Sequence, residues 1–391
     1  MMPTKTTHQS GFSLLEIIIA IAITLVITIA GVSALNKVQE LSSVIAQRSD
    51  MQLNARSAFN YLASDISLAG TGLPFGGVAL PVVGVNPPTY GSLFSTCCTA
   101  FRNDSNGNPF LYAAEGGWSY PPHLGSIDHL PQPLITVSYL DTDVSTEGGL
   151  ASASCGPPPV PPMVLDQFWP SLVAPFTKSA TVTDVAQGVK IKFNDCVDIT
   201  DPTDPSNALK IGDALLVCAT NCAVGIITDL PGGNAVLLKS GDALHLNQPT
   251  VALGNIQAMR VAGNYPAIIS ATRIKIVTYF LDPDAGVDGI KGTSDDGPPF
   301  RLMRRVNAGN PVVLAENILD LQVSYDLYDD SSASQTAGEQ NPLNIVPNLI
   351  RNVNLFVTVR SPMPNAKGAY QGMSLATSVS PRNLSYHNRY Q

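Results

Sequence analysis

Charge is scarce in this chain. Asp, Glu, Lys and Arg make up only 13% of its 391 residues and sum to a formal net charge of −8. No stretch is rich in Lys or Arg, which excludes a cationic surface able to displace counterions from nucleic acid. Catalytic and cofactor signatures are missing as well. There is no G-x-S-x-G, no glycine-rich phosphate loop, no CxxC, no HExxH and no CxxCH, so a nucleophile elbow, a nucleotide cradle, a zinc site and covalent haem all lack a motif. The five histidines are His8, His123, His129, His245 and His387, and none stands in a paired motif. Asp128 beside His129 is the nearest approach to an acid/base pair, but sequence neighbours need not face one site. These histidines read as surface or structural groups, and the acidic turn Asp201 to Asp204 reads as a loop.

Helix-compatible composition is also thin outside one region. With 31 Pro and 31 Gly, the bulk of the chain favours strands and loops, because both residues disfavour helix interiors. Disorder is excluded by the 45% apolar content. The length suits two or three modest domains.

The exception is the N-terminus. Residues 1–10 are polar, and between Glu16 and Lys37 no charge occurs. About 20 residues rising 1.5 Å each cross an apolar core of about 30 Å, so one membrane-spanning helix is predicted over 14–36. A secretory signal places its small-residue cleavage site after the apolar region; here the small residue, Gly11, precedes it. The apolar stretch therefore survives processing. Glu16 is costly inside a bilayer unless paired or protonated. Cleavage after Gly11 would create an α-amino cation on Phe12, four residues away.

The run Gly11-Phe12-Ser13-Leu14-Leu15-Glu16, followed by a long apolar helix, resembles the type IV prepilin cleavage and methylation motif. The resemblance implies prepilin peptidase cleavage after Gly11, N-methylation of Phe12, and a role for Glu16 in recruiting or registering subunits. Leu41, Ile45, Arg48, Met51, Ala55, Phe59, Leu62 and Ile66 recur at steps of three and four, which carries the helix onward. It stops at Gly70-Thr71-Gly72-Leu73-Pro74, making a rod of roughly 80 Å. Asn54, Ala55, Arg56, Leu62, Asp65, Ile66, Ala69 and Gly70 resemble the helix end of PilW-type minor pilins, although J-type pseudopilins share part of this pattern.

The fold expected is α+β: a pilin-like long N-terminal helix, membrane-embedded in its first half, packed on an antiparallel β-sheet with a large β- and loop-rich insertion. The expected segments are a leader over 1–11, the helix over 12–70, a loop-rich segment over 71–179, a small β subdomain over 180–252 and a C-terminal sheet region over 253–391. The loop-rich segment is expected to carry a few strands, with short apolar runs such as Leu134 to Leu140, and CGPPPVPPM from Cys155 reads as a polyproline connector. Alternating runs (VKIKFNDCVDI, ALLVCAT, AVGIITDL, NAVLLKSG) predict a small antiparallel sheet or partial barrel. The strongest strands are ATRIKIVTYFLD, FRLMRRV, PVVLAENILDLQVSYDLYD and IRNVNLFVTVRS, rich in β-branched and aromatic residues. They are expected to cover the apolar face of the helix. This region and the closing SLATSVSPRNL, with Arg382 and Asn383, again resemble PilW-like proteins.

Two further features carry chemistry. The six cysteines, at 97, 98, 155, 196, 218 and 222, all follow the membrane segment, and an oxidising compartment would pair them. Cys218 and Cys222 are close enough to close a hairpin. The adjacent Cys97 and Cys98 are read as reaching separate partners, Cys155 and Cys196. The run from Asp282 places Asp282, Asp284, Asp288, Asp295 and Asp296 in a glycine-rich loop, and D-x-D-x-G-x-D-G resembles the start of a calcium loop. It lacks the acidic residue at the twelfth position, where Thr293 stands. The alternative is a solvated turn.

The function expected is that of a PilW-like minor pilin, not an enzyme and with no required cofactor, priming or capping a type IV pilus that serves adhesion or motility. The alternatives are a type II secretion pseudopilin and a calcium-dependent tip adhesin. Implied partners are prepilin peptidase, other major and minor pilins and the inner-membrane assembly platform. The implied location is the bacterial inner membrane, single-pass with a periplasmic body, and then the pilus.

Overall fold

The computed structural model describes residues 13–74, 76–82, 102–103, 109–116, 132–141, 177–193, 209–251, 254–267, 269–284, 286, 289, 297–329, 331–340, 346–365, 368–381 and 384. One helix, α1 (Leu14–Leu68), is 55 residues long. The strands in chain order are β1 (Val78–Ala79), β2 (Arg102–Asn103), β3 (Pro109–Leu111), β4 (Ala114–Gly116), β5 (Gln132–Leu140), β6 (Thr177–Val185), β7 (Gly188–Phe193) and β8 (Ala214–Cys218). They continue with β9 (Cys222–Ile226), β10 (Ala235–Lys239), β11 (Ile269–Asp284), β12 (Gly297–Val306), β13 (Val312–Asp329), β14 (Ser334–Glu339), β15 (Ile350–Arg360) and β16 (Gly372–Val379). The class is α+β, as expected.

The chain divides into two compact units, Met1–Leu53 with Ser361–Gly372, and Asn54–Arg360 with Met373–Gln391. In the first unit the helix exposes its apolar residues: Ile17, Ile21, Leu25, Ile29, Val32 and Leu35 are each at least half accessible. Its best 18-residue window has a mean hydropathy of 2.7, and by length and composition it suffices to cross a membrane. Leu41 and Ile45, placed by periodicity on a packing stripe, are exposed. Burial starts later, at Met51. The 361–372 stretch closes on itself, with Ser361 N–H donating to the Gln371 carbonyl at 2.7 Å.

In the second unit, helix residues from Asn54 onward bury Ala55, Ala58, Phe59, Leu62 and Ile66. The helix ends where expected, because Gly70 (φ 82°) and Gly72 (φ 73°) adopt the left-handed backbone. The emerging chain docks on β5: Gly70 N–H donates to the Ser138 carbonyl at 2.9 Å, and Leu140 N–H to the Thr71 carbonyl at 2.7 Å. The sheet beneath has thirteen strands among the described residues, running β10-β7-β6-β11-β12-β13-β15-β16, with β4, β5, β8, β9 and β14 attached beside that path.

β11 organises this sheet. Its first half pairs with β6 and β8, and its second half with β5 and β12, all antiparallel. Fully flanked, it is buried on both faces from Ala271 to Phe280, apart from the partly accessible Lys275. One sequence reading changes here, and another gains its place. The strands between 180 and 252 do not form a sheet of their own; β6 and β8 hydrogen-bond to β11, although the group keeps its own core of Ile191, Phe193, Leu215, Val217, Val236 and Leu238. The run at Leu134 to Leu140 is a nine-residue strand in the middle of the sheet. Both follow from the length of β11, whose 16 residues expose more edge than its C-terminal partners cover.

Helix and sheet are joined by one buried acid. The Asp65 carboxylate on α1 accepts hydrogen bonds from Tyr139 Oη on β5 at 2.6 Å, from Tyr279 Oη on β11, and from Arg304 Nε on β12 at 2.8 Å. Burial first, then the neighbouring carboxylate, pushes both phenols well above their ordinary pKa of 10.0. Burial alone would lower the Arg304 pKa, but the Asp65 contact outweighs it and raises it. Removing one member of a buried charged set leaves the others unpaired. Asp65→Ala should therefore cost about 3–5 kcal/mol in chemical denaturation. The phenols set a pH signature. Above pH 10 the unfolded chain loses protons that the folded chain keeps, so stability is full below that value and falls as pH rises past it. Tyr139→Phe with Tyr279→Phe should flatten that alkaline limb, read as the denaturation midpoint between pH 9 and 12, approximate bounds set by the linkage.

Candidate functional site

The sequence places the functional centre at the start of α1. Gly11 and Phe12 lie outside the described residues. Ser13 and Glu16 are described, and they explain how the helix begins. Ser13 N–H donates to Glu16 Oε2 at 3.2 Å, and Glu16 N–H donates to Ser13 Oγ at 3.2 Å. This reciprocal pair is a capping box, which satisfies two backbone donors that have no helical acceptor. The carboxylate also sits at the positive end of the helix dipole. Its signature, S-x-x-E before an apolar run, was legible in the sequence but was overshadowed by the cost of the charge.

Glu16 is exposed, and so are the apolar residues that follow it. Among the described residues, then, the carboxylate is held locally through one oxygen, by Ser13. Thr24 and Thr28, two polar residues of the span, return their hydroxyls to the carbonyls of Ala20 and Thr24, each at 2.7 Å. Glu16 is the one charged group between Ser13 and Asn36. A new cation at the Phe12 amine, or one on a neighbouring helix, would meet an acid already positioned by the cap.

Cys218 and Cys222 form a disulfide, directly opposite each other at the turn end of the β8–β9 hairpin, with Cα atoms 4.1 Å apart. Cys97, Cys98, Cys155 and Cys196 lie outside the described residues. Of the acidic run, Asp282 is a strand residue of β11, buried and ion-paired with Arg301 of β12. Asp284 ends that strand, exposed and opposite Gly297. Asp288, Asp295 and Asp296 fall outside the described residues, as do Asp128 and His129. Among the described residues no group of three His, Cys, Asp or Glu side chains is arranged to hold a metal. His245 stands in a turn organised by Asp242, whose carboxylate accepts the backbone N–H groups of Leu244, Leu246 and Asn247 at 2.9–3.2 Å. Burial raises the Asp242 pKa against the pull of those hydrogen bonds.

Residues 6–32 match the family described as the prokaryotic N-terminal methylation motif. The match indicates a type IV pilin-like or pseudopilin protein, and with the apolar helix it fits membrane anchoring. It implies pilus-related or prepilin-peptidase-related partners in general. No curated protein and no solved structure matches the chain.

The short disulfide loop gives a direct test. Cys218→Ala with Cys222→Ala should lower stability by about 2 kcal/mol, the loop-closure value for so short a ring. A midpoint shift in denaturant at unchanged slope would report it.

Proposed function

We propose that this protein is a PilW-like minor pilin, a non-enzymatic subunit that primes a type IV pilus or sits at its tip. The observation that carries the reading is the exposed, capped Glu16 at the head of a charge-free helix, within the matched methylation motif. Before assembly the helix holds the subunit in the inner membrane, with the β-rich body on the periplasmic side. Cleavage after Gly11 removes the polar leader and frees the Phe12 amine. The Glu16 carboxylate then pairs with an amine in the growing helix bundle. That pairing neutralises a charge that is expensive in an apolar bundle, so mis-registered subunits are disfavoured. The Pro- and Gly-rich body supports the tip position, since a large head fits poorly in a closely packed shaft.

Capping and charge pairing are separable by substitution. Gln at the same position keeps a capping box but carries no charge. Glu16→Gln and Glu16→Ala should both insert in membranes normally, and both should drop recovery in sheared filaments about tenfold or more, the scale of several kcal/mol for an unpaired charge. Wild-type recovery of Glu16→Gln would refute the pairing role. Deletion of the gene should abolish piliation and twitching. Normal piliation with lost protein export would instead assign the chain to a secretion pseudopilin.

A further inference from the structure

The edges of the large sheet are not treated alike. β10, at one end of the main path, is covered: Thr228 N–H donates to the Leu237 carbonyl and Leu237 N–H to the Asp229 carbonyl, each at 2.9 Å. β9 is covered by the Asn247 side chain, which accepts from Ile226 N–H at 3.0 Å and donates to its carbonyl at 2.7 Å. β14 is blunted by Gly338 at φ 68° and by a register shift on its partner β13. These are the usual protections of a strand edge.

Among the described residues, β16 has none of them. It closes the other end of the path, beyond β15. No charge occurs between Lys367 and Arg382, and no proline lies within Gly372–Val379. Its residues alternate exposed and half-buried along all eight positions, with none fully buried. The Ser374 and Thr358 hydroxyls bond each other at 3.0 Å, so Ser374 shares the face of Thr358. Met373 and Leu375 therefore lie on the opposite face with Val357 and Val359 of β15, which are 2% and 1% accessible. The apolar row is fully buried on β15 and only half-buried on β16. One more strand would complete it.

We infer that β16 pairs with β16 of a second copy of this chain, antiparallel about a two-fold axis near Ala376. The strand is its own complement in that register. Met373 meets Val379 and Leu375 meets Thr377 on the inner face, while Ser374 meets Ser378 on the outer face. Each residue keeps its own side of the sheet, as a period-two pairing requires. The other exposed strand, β14, ends in Glu339 and bends at Gly338, so it offers no such match. The inference goes beyond the pilin reading and does not depend on it.

The test uses the full chain in detergent micelles and in native membranes. Ala376→Cys, treated with a short bismaleimide, should give covalent dimers several-fold above the wild-type background, because directly opposed Cβ atoms lie about 4.5–5.5 Å apart. Ser378→Cys, off the axis, should stay near background. Ala376→Lys should raise the concentration for half-dimerisation about tenfold or more, since an edge lysine opposes its own mate, with an unchanged melting curve. Equal cross-linking at 376 and 378, a dimer indifferent to Ala376→Lys, or a monomer at all concentrations would each overturn the inference.

Discussion

The Asp65 carboxylate is the constraint on which the head depends. It sits on the helix one turn before the glycine stop, and it draws donors from three strands far apart in sequence: Tyr139, Tyr279 and Arg304. A buried carboxylate tolerates few arrangements, because each lone pair needs a donor and the charge needs a cation. Satisfying it sets the rotation of the helix and the register of β5, β11 and β12 together. Apolar packing by Phe59, Leu62 and Ile66 supplies non-directional attraction, whereas the acid makes one orientation preferable to its neighbours. A second buried set extends this order along β11, where Asp141 forms ion pairs with Arg273 at 2.8 Å and Lys275 at 2.9 Å.

The same helix carries the opposite problem at its other end. Glu16 has a local cap and an exposed apolar surround, so its charge is positioned but not neutralised by any ion pair among the described residues. Asp65 is completed by folding, and under the proposed function Glu16 is left for assembly to complete. A single helix thus holds one acid that fixes the body and another that, in the proposed function, awaits a partner. The half-covered row on β16 belongs to the same class of unfinished contact, made from backbone and apolar groups rather than charge.

Much of this was legible in residues. The charge-free interval from Ile17 to Asn36, the stop at Gly70 and Gly72, and the strands through Ile276, Leu302, Val323 and Val357 follow from period and composition. The Cys218–Cys222 bridge followed from spacing. The onset of helix burial did not, since Leu41 and Ile45 keep the period of a packed stripe yet are exposed. β5 was legible as a short apolar run among Pro, Gly and Ser, but its place in the main sheet was not, and only the long edge of β11 shows why it is recruited. Asp65 signalled itself as a carboxylate between Leu62 and Ile66, but Tyr139 and Arg304 are 74 and 239 residues away, and no local pattern names them. Asp282 read as a loop ligand; its partner Arg301 lies across a hairpin, and the pairing emerges only once β11 and β12 are in register.

The central claim is that the chain is processed at Gly11 and enters a filament through its bared helix. Mass spectrometry of the N-terminus, taken separately from membranes and from sheared surface filaments, tests it most directly. The account predicts chains beginning with N-methylated Phe12 in the filament fraction. Chains retaining Met1 or Met2 in membranes, with none in filaments, would contradict it and leave a signal-anchored protein whose Glu16 does no more than cap its own helix.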